Sequence, residues 1–116
     1  MRNHSAYLLA GLLAAQGVAA GQLYGSAEMQ DRDAMLLGRR VQAVREAIQN
    51  PESPRALEAI IDLGHDQRYY VMVRGWLAYQ LQGDMSIVDA SRGQAPEHVS
   101  TRIRFLNRAI RALDLE

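Results

Sequence analysis

The sequence lacks cysteine and lysine altogether. Without cysteine, the chain has no disulfide bond, thiol nucleophile, iron–sulfur cluster or cysteine-ligated zinc, and it suits a reducing or an oxidising compartment equally. Without lysine, all 13 basic residues are arginine, whose planar guanidinium pairs well with carboxylates and phosphates. GC-rich codon usage would produce the same bias, so the arginine content alone assigns no function.

Net charge and the common catalytic motifs are also missing. The 13 basic and 13 acidic residues cancel, so the chain has no overall field that would attract nucleic acid or acidic lipid. Its 116 residues contain no P-loop, G-x-G-x-x-G, G-x-S-x-G or H-E-x-x-H. We therefore expect a single domain with no enzyme activity, no cofactor, no metal and no nucleic-acid partner.

The first 20 residues have the layout of a secretory signal peptide. Arg2 supplies positive charge, residues 6–15 are apolar, and Val18 and Ala20 stand where a signal peptidase recognises small side chains. Cleavage after Ala20 would leave one helical domain, residues 21–116, in the periplasm or outside the cell.

The same segment also has features of a helix that is retained. Residues 5–27 carry no charge, and Gly17, Gly21 and Gly25 recur at the four-residue spacing that lets helices approach closely in a membrane. Against this, Gln16 and Gln22 interrupt the apolar stretch. An alanine-rich helix inside a soluble bundle is the third interpretation, and the sequence leaves all three open.

Apolar residues recur at helical spacing in four later segments. The pattern predicts helices over residues 28–49, 54–63, 67–82 and 96–115, with residues 83–95 as a connector. The first and last of these helices each carry one apolar heptad seam, formed by Ala34, Leu37, Val41, Val44 and Ile48 and by Val99, Ile103, Leu106, Ile110 and Leu113. The predicted fold is a small antiparallel all-α bundle of about four helices, preceded by the hydrophobic N-terminal segment.

Short polar residues, proline and glycine mark the predicted ends of these helices. The predicted starts are Ser53 with Pro54, Asp66, a capped turn at Ser86 and Asp89, and Pro96, and the predicted stops are Asn50, Gly64 and Gly93.

The densest group of titratable residues is Asp62, His65 and Asp66. A histidine between two carboxylates suits acid–base chemistry or a metal. However, Gly64 breaks the helical spacing between them, and a turn containing a helix cap explains the same residues. We favour the structural interpretation.

Two surfaces are predicted to contact a partner. Aromatic residues and an arginine cluster in the third helix, and both types are enriched at the centres of protein interfaces; they are Tyr69, Tyr70, Arg74, Trp76 and Tyr79. The alternative is that this helix is simply the central core helix. The last helix carries a basic stripe, Arg104, Arg108 and Arg111, suited to an acidic partner. The alternative there is a solvated face that pairs with acids of the first helix.

These observations predict a non-catalytic, exported helical module that binds another protein as an inhibitor, escort or regulatory subunit. The alternative is a structural or membrane-associated subunit of a larger assembly, such as a virion or a membrane complex. Such a subunit would retain the glycine-spaced N-terminal helix, contact the membrane through residues 6–25, and form a homo-oligomer.

Overall fold

The computed structural model describes the backbone of residues 2–115 and the side chains of residues 25–115. The backbone forms four helices, α1 (Arg2–Gln49), α2 (Ala56–Gly64), α3 (Tyr70–Ala90) and α4 (Glu97–Asp114), and no strand within residues 2–115. The predicted all-α bundle of about four helices is confirmed. The chain divides into two compact units, Met1–Leu37 and Gly38–Glu116.

The first unit is the N-terminal part of α1. Gly17, Gly21, and nearly all of the predicted signal or packing segment (residues 1–24) lie outside the described side chains, so the choice among its three interpretations stays a prediction. Residues 25–36 are all exposed, including Met29, Met35 and Leu36. Gly25 has no other group within 4 Å of the position that a Cβ would take. Across the described residues, no helix combines the length and the apolar content that crossing a membrane requires.

The second unit begins with the last turns of α1. Val44 is fully buried and Val41 and Ile48 are half-buried, but Ala34 is exposed, so the predicted seam is buried only towards its C-terminal end. Arg40 ties these turns to α2, because its Nη2 donates to the carbonyl oxygen of Asp62 at 2.6 Å.

Helix α2 starts later than predicted. Ser53 and Pro54 are neither its N-cap nor its first residue, because residues 51–55 form tight turns in which the Ala56 amide donates to the Ser53 carbonyl. Arg55 occupies the N-cap position without a side-chain hydrogen bond. The helix therefore starts after a turn closed by a backbone hydrogen bond, and the Ser53 hydroxyl does not cap it.

Gly64 does not stop α2 in the way that the sequence predicts. It is the last residue of the helix, and His65 occupies the C-cap position. A Cβ at Gly64 would lie 2.5 Å from Leu113 Cδ2 and 3.3 Å from Val73 Cγ1. The glycine therefore allows α2 to approach α3 and α4 closely.

Helix α3 is displaced towards the C-terminus relative to its prediction. Asp66 caps a turn ahead of the helix, since its Oδ1 accepts from the Arg68 amide at 3.0 Å. The helix then runs through the predicted connector to Ala90, and the capped turn predicted at Ser86 is wrong because that hydroxyl donates to the Gln82 carbonyl inside the helix. The predicted stop, Gly93, lies two residues beyond the C-cap Ser91. The turn after the helix contains two residues with positive φ, Arg92 at 53° and Gly93 at 81°, a conformation that glycine adopts without a steric cost.

Helix α4 packs against α2 and α3 with a stripe slightly rotated from the predicted seam. Pro96 is its N-cap rather than its first residue. Ile103 and Ile110 are only half-buried, because Phe105 and Ala109 take buried positions instead. The fully buried core of the unit comprises Val44, Ile60, Leu63, Val73, Leu77, Leu106 and Ala109.

Candidate functional site

The aromatic residues predicted as one surface lie in three separate places. Val73 and Leu77 form the buried stripe of α3. Tyr70 and Arg74 lie on one side of that stripe and contact the end of α4. The structure therefore does not bring all five predicted residues together.

Tyr70 and Arg74 are used within the chain. The Tyr70 hydroxyl donates to Asp114 Oδ1 at 2.6 Å, and Arg74 Nε and Nη2 each donate to the same carboxylate at 2.9 Å. The hydrogen bonds from Arg74 and then from Tyr70 hold the pKa of Asp114 below its usual value, whereas hydrogen bonding to Asp114 raises the pKa of Tyr70. This cluster fastens α3 to α4.

Tyr69 belongs to the turn before α3. The Arg68 guanidinium lies 5.1 Å from the centre of its ring and also bonds Asp66, with its Nη2 2.8 Å from Oδ2. The side-chain and backbone hydrogen bonds from Arg68 lower the pKa of Asp66 to about 2. Tyr69 is half-buried in this turn, where Arg68 stacks on its ring.

Trp76 and Tyr79 share a groove between α3 and the last turns of α1. Arg45, Ile48, Gln49 and Gln80 complete its lining, and its volume is about 420 Å³. Tyr79 is 81% exposed, whereas Trp76 is half-buried. Of the five predicted residues, Tyr79 is the one with a largely exposed side chain, and the other four are half-buried.

Asp62, His65 and Asp66 do not form a joint site. Arg40 Nε donates to Asp62 at 3.2 Å, Arg68 holds Asp66, and His65 Nε2 lies 3.2 Å from the Ala112 carbonyl oxygen. Within residues 25–115, no three histidine or acidic side chains are placed to hold a metal ion. The contacts of these three residues support the structural interpretation of the cluster.

The basic stripe of α4 lines a groove on the second unit. We call this the arginine groove; its volume is about 1010 Å³, and Pro51, Glu52, Ser53, Pro54, Thr101, Arg104, Phe105, Asn107, Arg108, Ile110 and Arg111 line it. One wall is the turn between α1 and α2, and the other is the outer face of α4. Helical spacing predicts the three arginines of this groove. It does not predict the wall formed by residues 51–54, because that segment lies about 50 residues away in the chain.

The three arginines of this groove are exposed and lack acidic partners among residues 25–115. Arg104 Nη2 donates to Thr101 Oγ1 at 3.2 Å, and the Arg108 guanidinium lies 5.8 Å from the centre of the Phe105 ring. Neither they nor Arg111 form an ion pair with any carboxylate of residues 25–115. Glu46, the acid that α1 contributes to the second unit, forms no ion pair with this stripe, and the exposure of all three arginines agrees with a solvated face.

A buried charged pair joins α3 to α4 near the loop between them. Asp84 is completely buried, and Arg102 Nε and Nη2 each donate to its carboxylate at 2.7 Å. Gln80 Nε2 adds a third hydrogen bond at 3.1 Å. Burial opposes ionisation of Asp84, but the bonds from Arg102 and Gln80 outweigh it, so the pKa of Asp84 is lowered.

The pair was not among the predicted site residues, although the sequence contains a signal for it. Asp84 follows Leu77 by seven residues and Arg102 follows Val99 by three, so both occupy positions on apolar stripes. A charge at such a position points to a buried partner of opposite sign. Complete burial of Asp84 and its hydrogen bonds to Arg102 and Gln80 account for the pair as a contact between α3 and α4.

Compared with protein-family models, with curated proteins and with solved structures, the chain matches none of them.

Proposed function

We propose that this chain is a non-catalytic helical module that binds another protein through the arginine groove. The observation that carries the proposal is that Arg104, Arg108 and Arg111 line one groove and form no ion pair with the carboxylates of residues 25–115. Elsewhere in the second unit, Arg40, Arg74 and Arg102 each bond an aspartate. Four further arginines also form no ion pair with carboxylates of residues 25–115, but none of them lines this groove: Arg39, Arg45, Arg55 and Arg92. The groove differs from these sites because three such arginines line it together.

The chemistry of the groove favours an acidic segment as the partner. A guanidinium offers paired N–H donors that match a carboxylate. Glu52 is the one acidic residue among those lining the groove, so its positive charge is only partly offset. Half-buried Ile110 adds apolar surface beside the charges. An acidic segment with at least one apolar side chain would use both kinds of contact.

We also propose that the module is exported from the cytoplasm. Its support is the pattern of residues 1–20, a basic start followed by an apolar run and small residues, which is typical of a secretory signal. Removal of those residues would leave the helical domain, including the arginine groove, in the periplasm or outside the cell.

A structural subunit of a larger assembly is the second candidate. Met29, Met35 and Leu36 are 66%, 61% and 55% exposed on the described part of α1. Large apolar side chains exposed close together are typical of surfaces that another chain covers. A retained N-terminal helix would extend this surface.

The proposal is tested by the binding of a fluorescein-labelled oligoglutamate peptide, followed by fluorescence anisotropy. Exposed charge pairs contribute about 0.2–1 kcal/mol each, and Arg104→Glu/Arg108→Glu also adds repulsion. We therefore expect the dissociation constant to rise about tenfold or more. Added salt should weaken binding to the unmodified chain, because mobile ions screen exposed charges.

A matched control carries the same change in net charge elsewhere. Arg39→Glu/Arg92→Glu replaces two exposed arginines that do not line the arginine groove, and we expect it to bind like the unmodified chain. Equal loss in both double variants would mean that only net charge matters, and the proposed groove would be rejected.

A further inference from the structure

A segment of this chain has the chemistry that the arginine groove selects. We infer that the groove binds α1 residues 28–35 of a second copy of the chain, an inference that rests on the proposed function. Glu28, Asp31 and Met35 are spaced three and four residues apart, so they lie on one face of α1. All three are exposed.

The carboxylates of this face have no arginine partner among residues 25–115. Neither Glu28 nor Asp31 forms an ion pair with the arginines of residues 25–115. The 13 positive and 13 negative charges of the chain cancel overall, but within residues 25–115 the acidic face and the arginines of the groove form no ion pairs. Contact between two copies would neutralise both.

The spacings of the two surfaces are compatible. Glu28 and Asp31 are about 4.5 Å apart along the helix axis, and Arg104 and Arg108 are about 6 Å apart on α4, at 1.5 Å per residue. Long arginine side chains bridge a difference of that size. Met35, one turn beyond Asp31 and 61% exposed, would bring an apolar group to the half-buried Ile110.

This contact joins different surfaces of the two copies. Such a contact leaves one groove and one acidic face free unless the two copies bind reciprocally, so it produces a reciprocal dimer or a longer chain of copies. In either case association should weaken as salt is added, since the contact depends on exposed charges.

Sedimentation velocity of the full chain tests the inference with two charge-reversal variants. In the groove variant, Arg104→Glu/Arg108→Glu, acids would face acids, and in the helix variant, Glu28→Arg/Asp31→Arg, arginines would face arginines. Each variant alone should associate at least about tenfold more weakly than the unmodified chain. An equimolar mixture of the two should regain association, because opposite charges then meet in both kinds of contact.

Circular dichroism of each variant establishes that its helices are intact. The neutral variants Glu28→Gln/Asp31→Asn and Arg108→Gln should also associate more weakly than the unmodified chain, but by less than the charge-reversal variants. A monomeric unmodified chain, or a helix variant that associates as strongly as the unmodified chain, would overturn the inference. Oligoglutamate binding that still depends on the groove arginines would leave the proposed function standing in either case. Loss of that dependence would remove the proposed function as well.

Discussion

Two aspartate–arginine pairs join α3 to α4, one near each end of the helix pair, and they differ mainly in burial. Near the loop, α3 supplies Asp84 and α4 supplies Arg102, and the carboxylate is completely buried. Near the other end the roles reverse, with Arg74 on α3 and Asp114 on α4, and both side chains remain more than one-third exposed. Both carboxylates accept two arginine N–H groups. The two pairs therefore have similar hydrogen-bond geometry but differ in their exposure to solvent.

The two pairs show how exposure to solvent determines the stability lost when one partner of an ion pair is removed. When one partner of an exposed pair is removed, water solvates the other, so little stability is lost. When one partner of a buried pair is removed, a charge is left without solvation. Removing the arginine should therefore lower the free energy of unfolding more at the buried pair than at the exposed pair, although the two pairs have similar hydrogen bonds.

The largest effect is expected for Arg102→Ala. Asp84 would keep Gln80 as its remaining side-chain partner, and an uncompensated buried charge costs about 3–5 kcal/mol. That is a large share of the roughly 5–15 kcal/mol by which a typical domain is stable. Urea unfolding, followed by circular dichroism and by the fluorescence of Trp76, measures the loss.

Replacing both members of the buried pair sharpens the result. Asp84→Leu/Arg102→Met removes the charge together with its partner, and well-packed apolar replacements of buried pairs are often neutral or stabilising. We expect most of the stability lost in Arg102→Ala to return. A double variant as unstable as Arg102→Ala would show that the pair contributes to folding in a way that apolar packing does not replace.

The next largest effect concerns how the free energy of unfolding depends on pH, which should differ between Asp84→Asn and the unmodified chain. Because the pKa of Asp84 is lowered in the folded chain, its ionised form adds stability above the unfolded-state pKa of about 3.9. That contribution is lost as the pH falls through the lowered folded-state pKa. The unfolding free energies of the two proteins should therefore differ most at neutral pH and converge in acid.

Thermal unfolding at a series of pH values measures this convergence. Asp114→Asn serves as the matched variant at the exposed pair, where the pKa of Asp114 is also lowered, so its difference from the unmodified chain should have the same sign and a smaller size. A difference that grows as the pH falls would contradict the ionised state assigned to Asp84.

A smaller effect is expected for Arg74→Ala. Its partner Asp114 would gain solvent and keep the hydrogen bond from Tyr70, so the loss of stability should be several-fold smaller than for Arg102→Ala. Urea unfolding under the same conditions compares the two variants directly. Equal losses would mean that burial does not distinguish the two pairs.

The smallest effect is expected for Tyr70→Phe. The substitution removes one hydrogen bond to Asp114 and leaves Arg74 bound to the same carboxylate. Since hydrogen bonding to Asp114 raises the pKa of Tyr70, the absorbance change in alkaline solution should lose the contribution of a tyrosine with a raised pKa in this variant. An unchanged titration would show that Tyr70 does not bond Asp114 in solution.

Much of the fold was predictable because helical periodicity is local. The seam containing Val44 and the proline at residue 51 located the end of α1, and the seam containing Leu106 located α4 to within a few residues. The errors arose where distant contacts override local preference. Gly83 would ordinarily weaken a helix, but α3 continues past it, with Asp84 held by Arg102 from 18 residues further along the chain.

The candidate site was predictable only in part. The stripe of Arg104, Arg108 and Arg111 follows from helical spacing, but its pairing state does not, because the periodicity of one helix does not show which acids lie nearby. Tyr70 and Arg74 resembled interface residues by composition, yet Asp114, some 40 residues away, binds both of them. Whether an arginine faces a partner or its own chain is set by tertiary contacts.

The antiparallel arrangement of α3 and α4 has a consequence for the order of folding. The pair near the loop spans 18 residues and the pair at the far end spans 40, so closing the shorter segment costs about 0.7 kcal/mol less conformational entropy. We expect the two helices to join first beside the loop and then along their length. Substitutions at Arg102 should then slow refolding, whereas substitutions at Arg74 should mainly accelerate unfolding, a contrast that stopped-flow fluorescence of Trp76 would resolve.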